Sequence, residues 1–91
     1  MIARHLRIHG RVQGVGYRYA FENMAEQFGL RGWVRNRMDG TVEAHIEGDP
    51  AAAEAMVVWS RRGPPAASVS QVEVQEVALE GHRTFERRPT A

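Results

Sequence analysis

Residues 10–18 read Gly10-Arg11-Val12-Gln13-Gly14-Val15-Gly16-Tyr17-Arg18. Before this run, apolar and polar residues alternate over residues 4–11, which predicts a half-buried strand. After it, apolar residues recur at helical spacing from Tyr17 to Phe28, which predicts an amphipathic helix that Gly29 ends. The glycines therefore lie in a short turn that joins a strand to the start of a helix.

A hairpin is predicted next in the chain, with strands over residues 30–37 and 41–48. A two-residue loop would set an apolar row against a polar row across the pair. A three-residue loop, Met38-Asp39-Gly40, with Gly40 left-handed in a bulge, pairs Val34 with Ala44 and Asn36 with Val42. We prefer this second register because it keeps the apolar side chains of both strands on one face.

The second half of the chain predicts another helix and strand. Asp49-Pro50 is typical of a helix start, with a capping side chain before a first-turn proline, and the helix runs to about Ser60. A fourth strand is predicted from Val72 to about Leu79. Whether Thr84–Arg87 adds a short edge strand stays open. The element order predicts an α+β ferredoxin-like βαββαβ sandwich, in which two helices pack on one face of an antiparallel sheet and the other face is open.

The composition is that of one domain spanning residues 1–91. The chain is 43% apolar and 25% charged, has a net charge of +1 and contains no cysteine. Thiolate catalysis, disulfides and cysteine-based metal sites are thereby excluded. No signal-peptide pattern or membrane-length apolar run is present, so we expect a cytoplasmic monomer without a membrane partner. The small net charge argues against nucleic acid as a partner.

The glycine-rich turn is a candidate anion site. Its backbone N–H groups can converge at the positive end of the helix, and the guanidinium of Arg18 lies beside them. A cation in the first turn of a helix is unfavourable unless an anion is bound there. Two simpler interpretations stay open at this point: an ordinary tight turn, and an ion pair between Arg18 and Glu22.

Asn36 is a second candidate residue. It could belong only to the approach to the hairpin turn. In the preferred register, however, its side chain lies on the face of Val34, towards the helices, where a polar group needs partners. An amide at that place could hold a water molecule beside the anion.

Two further patterns carry weaker hypotheses. His5, His9 and His45 could meet on the open face, but no recognised ligand spacing is present and we predict no metal site. Trp33, flanked by two arginines, could stack on single-stranded nucleic acid. Glutamates on the neighbouring strand oppose that interpretation.

Taken together, these residues resemble the acylphosphatases. The run from Gly10 to Arg18 looks like the phosphate loop of that family. The second motif of the family is similar to two stretches that follow one another here: Gly29-Leu30-Arg31-Gly32-Trp33-Val34-Arg35-Asn36 and Asp39-Gly40-Thr41-Val42-Glu43. The motif spacing and the later Gly63-Pro64-Pro65 also agree, so the resemblance covers nearly the whole chain. Tyr17 stands where phenylalanine is common, and the tail after Phe85-Glu86 lacks a usual apolar residue.

The resemblance implies hydrolysis of an acyl phosphate to a carboxylate and inorganic phosphate, without a cofactor or metal. It matches Arg18 and Asn36 to the catalytic arginine and asparagine of the family. The substrate-binding residues would be those of the loop: Arg11, Val12, Gln13, Gly14, Val15 and Gly16. The alternative is a regulatory module of the same fold that binds phosphate-bearing ligands without chemistry.

Overall fold

The computed structural model describes residues 1–91. The helices are α1 (Tyr17–Gln27) and α2 (Pro50–Ser60), and the strands are β1 (Ile2–Arg11), β2 (Arg31–Asn36), β3 (Val42–Gly48), β4 (Ser68–Val77) and β5 (Phe85–Arg87). The predicted βαββαβ order is confirmed, and a short fifth strand follows it. The fourth strand begins at Ser68, four residues before Val72, which is the start that the sequence predicts.

The sheet has the strand order β4-β1-β3-β2-β5. The first four strands pair antiparallel, as predicted, whereas β5 lies parallel to β2 and makes the sheet mixed. The last two strands occupy opposite edges, so residues 78–84 must cross the sheet. Four strand spacings amount to about 19 Å, and an extended segment of this length reaches about 25 Å.

This crossing segment corrects one sequence expectation. The sheet face away from the helices was expected to be open, but residues 78–84 cover part of it. The backbone N–H groups of Glu80 and His82 donate to the carboxylate of Glu47, whose side chain lies on that face. As a result, His45 and Glu47 are each only 2% exposed.

The hairpin has the register that the three-residue loop predicts. Val34 pairs with Ala44, and Asn36 pairs with Val42. Gly40 adopts a left-handed φ of 92°, and the Asp39 carboxylate accepts the Thr41 backbone N–H at 3.0 Å and the Thr41 hydroxyl at 2.6 Å. Asn36 is therefore fixed on the helix-facing side of the sheet.

The core lies between the helices and the sheet and consists of side chains from all main elements. One contact in it positions the start of α1: the buried Tyr17 hydroxyl donates to the Ser60 carbonyl, the last residue of α2, at 2.7 Å. Burial raises the pKa of Tyr17, so its hydroxyl keeps the donor proton. Neither helix has the length and apolar character needed to cross a membrane.

Candidate active site

A small cavity of about 110 Å³ opens at the N-terminal end of α1. It is lined by eight residues: Val12, Gly14, Gly16, Tyr17, Arg18, Tyr19, Asn36 and Arg87. The turn after β1, the first turn of α1, the end of β2 and the last strand all meet there. Both residues that the sequence singled out for catalysis thus line one cavity of a size suited to a small anion.

The loop backbone has the shape that a nest of N–H groups requires. Gly14 and Gly16 have left-handed φ values of 74° and 80°. A Cβ at either position would meet no atom within 4 Å, so backbone conformation rather than space favours glycine there. Gly16 is the N-cap of α1 and no side chain caps the helix, which leaves first-turn N–H groups available to an anion.

The other loop residues face elsewhere. The Gln13 side-chain amide donates to the Arg37 carbonyl at 2.8 Å and to the Thr41 carbonyl at 2.9 Å, which ties the loop to the hairpin. Val15 packs against the core, and the exposed Arg11 is paired with β4 through its backbone. Of the six predicted loop residues, these three do not line the cavity with their side chains, so any contact they make there is through the backbone.

Arg18 carries a charge that no carboxylate neutralises. The alternative that paired it with Glu22 is wrong, because Glu22 accepts instead from Arg87 at 3.0 Å. No ion pair involves Arg18. A half-exposed guanidinium therefore stands in the first turn of α1, where the helix dipole repels it and an anion would attract it.

Asn36 presents an unpaired acceptor. Its amide oxygen Oδ1 is buried and has no hydrogen-bond partner in the protein. Its backbone carbonyl, by contrast, accepts the N–H of Ala91 at 3.1 Å, and the residue pairs with Val42 in the sheet. A buried oxygen of this kind is satisfied by a donor from outside the chain, and a water molecule in the cavity is the simplest one.

Arg87 is a site residue that the sequence did not indicate. Its guanidinium lies 5.6 Å from the centre of the Tyr19 ring and pairs with Glu22. It reaches the cavity only because β5 lies beside β2. The sequence pattern does not decide whether Thr84–Arg87 forms an edge strand. It therefore carries no signal that would place the Arg87 side chain.

The weaker hypotheses are not supported by the geometry. His5 and His45 are cross-strand neighbours, but the ring nitrogens of His5, His9 and His45 each lie beside a different glutamate, and the three histidines do not form one group of ligand atoms. Trp33 is only 7% exposed and lies under the guanidinium groups of Arg35 and Arg88, at 4.8 and 4.9 Å. It therefore offers no free face on which a base could stack.

The fold and the cavity define a ferredoxin-like α+β domain with an arginine-lined cleft beside a glycine-rich turn. The family model described as Acylphosphatase matches residues 4–87. The chain is 52% identical over 84 residues to an acylphosphatase of Thermococcus kodakarensis, with 92% of each chain covered. It is also 52% identical over 89 residues to one of Acidovorax, covering 98% of this chain and 92% of that protein.

The solved structures agree with the sequence comparisons. The crystal structure of an acylphosphatase from Bacillus subtilis matches with a TM-score of 0.94 and 39% identity, over 97% of this chain and 99% of that one. The chain belongs to the acylphosphatase family. Family and fold together support an acylphosphatase function.

Proposed function

We propose that the protein hydrolyses acyl phosphates at this cavity, with Arg18 and the loop backbone holding the phosphoryl group and Asn36 holding the attacking water. The observation that carries the proposal is the buried, unpaired Oδ1 of Asn36. A site that only bound phosphate would need N–H donors and cations. A buried acceptor beside them suits a molecule that must donate a proton, as water does.

The phosphoryl oxygens would contact backbone N–H groups of residues 11–16 and the Arg18 guanidinium. Phosphoryl transfer depends chiefly on positioning and on stabilising the charge of the transferred group. Arg18 suits that role because its charge is free and its fork of donors matches two phosphate oxygens. Arg87 is a weaker contributor, since Glu22 already neutralises much of its charge.

The hydrolysis would proceed without a general base from the protein. The water oxygen forms a bond to phosphorus while the bond between phosphorus and the carboxyl oxygen breaks, which gives inorganic phosphate and a carboxylate. The amide of Asn36 is too weak a base to remove the water proton, so a phosphate oxygen of the substrate accepts it. A carboxylate is a good leaving group and needs no general acid.

We also propose that this reaction needs no metal ion. Mg²⁺ in phosphoryl-transfer sites is held by one or two carboxylates together with the phosphate. No carboxylate lines the cavity, whereas two guanidinium groups do. The positive charge that a metal would supply is here carried by arginine and by backbone N–H groups.

The test is hydrolysis of an aryl acyl phosphate by wild type and Arg18→Ala, with a chelator present throughout. The wild type is expected to turn over substrate and the variant to lose nearly all turnover. Arg61→Ala is the matched control, because Arg61 is exposed at the end of α2 and lies in neither the cavity nor an ion pair. A folded wild type that binds phosphate but leaves acyl phosphates intact would indicate the non-catalytic module instead. Equal turnover in wild type and Arg18→Ala would contradict the site assignment.

A further inference from the structure

The sheet face opposite the cavity carries a second cluster of titratable side chains. His45 and Glu47 come from β3, and Glu80 and His82 come from the crossing segment 78–84. These four residues are called the His45 cluster below. His45 Nε2 lies 2.8 Å from a Glu47 oxygen and 3.7 Å from a Glu80 oxygen, and His82 Nε2 lies 2.7 Å from that same Glu80 oxygen. Both imidazole nitrogens therefore lie beside carboxylate oxygens, and the Glu80 oxygen lies near both of them.

The cluster is largely buried yet has an opening. The side chains of His45 and Glu47 are each 3% exposed, whereas that of Glu80 is 53% exposed. Titratable side chains this deeply buried are unusual unless partners compensate their loss of water. Glu80 marks the side from which an ion could enter.

The donor set is one that zinc accepts, because imidazole nitrogens and carboxylate oxygens are among its usual ligands. Zn²⁺ takes four nitrogen and oxygen ligands in a tetrahedron at about 2.0–2.2 Å, which places neighbouring ligand atoms about 3.4 Å apart. The ligand atoms of His45, Glu47 and His82 all lie within 4.8 Å of one another. Three distances, from His45 to Glu47 and Glu80 and from His82 to Glu80, range from 2.7 to 3.7 Å and bracket the tetrahedral spacing. His45, Glu47 and His82 therefore form a three-ligand set, and the Glu80 carboxylate beside both imidazoles is the candidate for the fourth position.

The surroundings already orient these side chains. The Glu47 carboxylate accepts the backbone N–H of Glu80 and, at 3.1 Å, that of His82. The Trp33 ring stacks on the His45 ring with 14° between their planes and 6.2 Å between their centres. Such outer contacts hold the ligands of metal sites in place.

We propose that the His45 cluster is a structural zinc site that fastens the crossing segment 78–84 to the sheet. The proposal is independent of the proposed hydrolysis, because the active-site cavity lies on the other face. It differs from the sequence-based prediction of no metal. Ligand spacing could not reveal the cluster, since 33 residues separate Glu47 from Glu80.

The experiment titrates ZnCl₂ into the full-length, tag-free, chelator-treated protein by calorimetry, with tryptophan emission recorded in parallel. We expect one Zn²⁺ per chain at micromolar affinity or tighter, a rise in Tm, and a change in tryptophan emission, because Trp33 stacks on His45. His82→Gln and Glu80→Gln are each expected to weaken binding by at least about tenfold. Because zinc displaces protons from imidazole, binding should also weaken at acidic pH.

The matched control is His9→Gln. His9 also lies beside a glutamate, Glu73 at 3.3 Å, but outside the His45 cluster, so its replacement should leave zinc binding unchanged. Far-UV circular dichroism and acyl phosphate turnover verify that the variants are folded, since neither Glu80 nor His82 lines the cavity. Absence of stoichiometric binding would overturn the proposal and leave a hydrogen-bonded clasp only. So would wild-type affinity in both cluster variants, or a loss of binding in His9→Gln.

Discussion

Asn36→Ala gives the sharpest test of how the cavity works. The substitution removes an amide oxygen that makes no hydrogen bond to the protein, so no protein group loses a hydrogen-bond partner. The backbone contacts of the residue, to Val42 and Ala91, are retained by alanine. We therefore expect the free energy of unfolding to change by no more than about 1 kcal/mol.

The expected effect on catalysis is much larger. Loss of one positioned group in an active site typically costs about 10²–10³ in kcat, or about 2.7–4 kcal/mol of transition-state stabilisation. The phosphoryl group would still be held by the loop N–H groups and Arg18. KM and the inhibition constant of inorganic phosphate should therefore stay close to their wild-type values, because the lost contact is to the water and not to the substrate.

The assay compares kcat, KM and phosphate inhibition for wild type, Asn36→Ala and Asn23→Ala. Asn23 is the only other asparagine in the chain and is exposed on α1, so its replacement serves as the control. Asn36→Asp is informative as a third variant, since its negative charge should also weaken phosphate binding. A kcat of Asn36→Ala within about threefold of wild type would refute the water-holding role. A parallel loss of phosphate inhibition would instead assign Asn36 to substrate binding.

Three further expectations concern the fold. Gly32→Ala should lower the free energy of unfolding in urea by at least about 3 kcal/mol, because φ is +133° and a Cβ would lie 1.9 Å from the His45 carbonyl oxygen. Tyr17→Phe should cost about 1–3 kcal/mol in the same assay, since the buried Ser60 carbonyl loses its donor. Burial raises the pKa of Glu47, but hydrogen bonds from two backbone N–H groups and from His45 outweigh this and hold it below 4.5. The unfolded chain therefore binds the proton more readily, so this stabilisation is present above about pH 4.5 and is lost as the pH falls through the folded-state pKa. Glu47→Gln should accordingly show a flatter acid dependence of unfolding than wild type, and equal slopes would contradict this account.

The hairpin shows how far the sequence alone could go. Alternation of apolar residues, with the demand that both apolar rows share a face, selected the pairing of Val34 with Ala44 that the structure has. That same register placed Asn36 towards the helices. The glycine run likewise placed Arg18 beside a strand-to-helix turn. These features are local, and local patterns in a sequence determine them.

The crossing segment was beyond such reasoning. Residues 78–84 show neither helical nor strand periodicity, and their position depends on a few side-chain contacts to Glu47 made across 33 to 35 residues of chain. The parallel pairing of β5 with β2 follows from that crossing, and so does the arrival of Arg87 at the cavity. This one segment therefore accounts for the undecided edge strand, for the site residue Arg87 that the sequence did not indicate, and for the unexpected cover over His45.

The residues that line the cavity therefore fall into two groups, which different parts of the fold hold in position. Gly14, Gly16, Arg18 and Asn36 are held by the first hairpin and by α1, whose start is tied to the end of α2 through Tyr17. Arg87 alone lies on β5, the strand that follows the crossing segment 78–84. Zinc bound to the His45 cluster would thus leave the proposed catalytic pair, Arg18 and Asn36, untouched. The free charge of Arg18 and the engaged charge of Arg87 fit that division, since the residue with the firmer support is also the one left free to meet an anion.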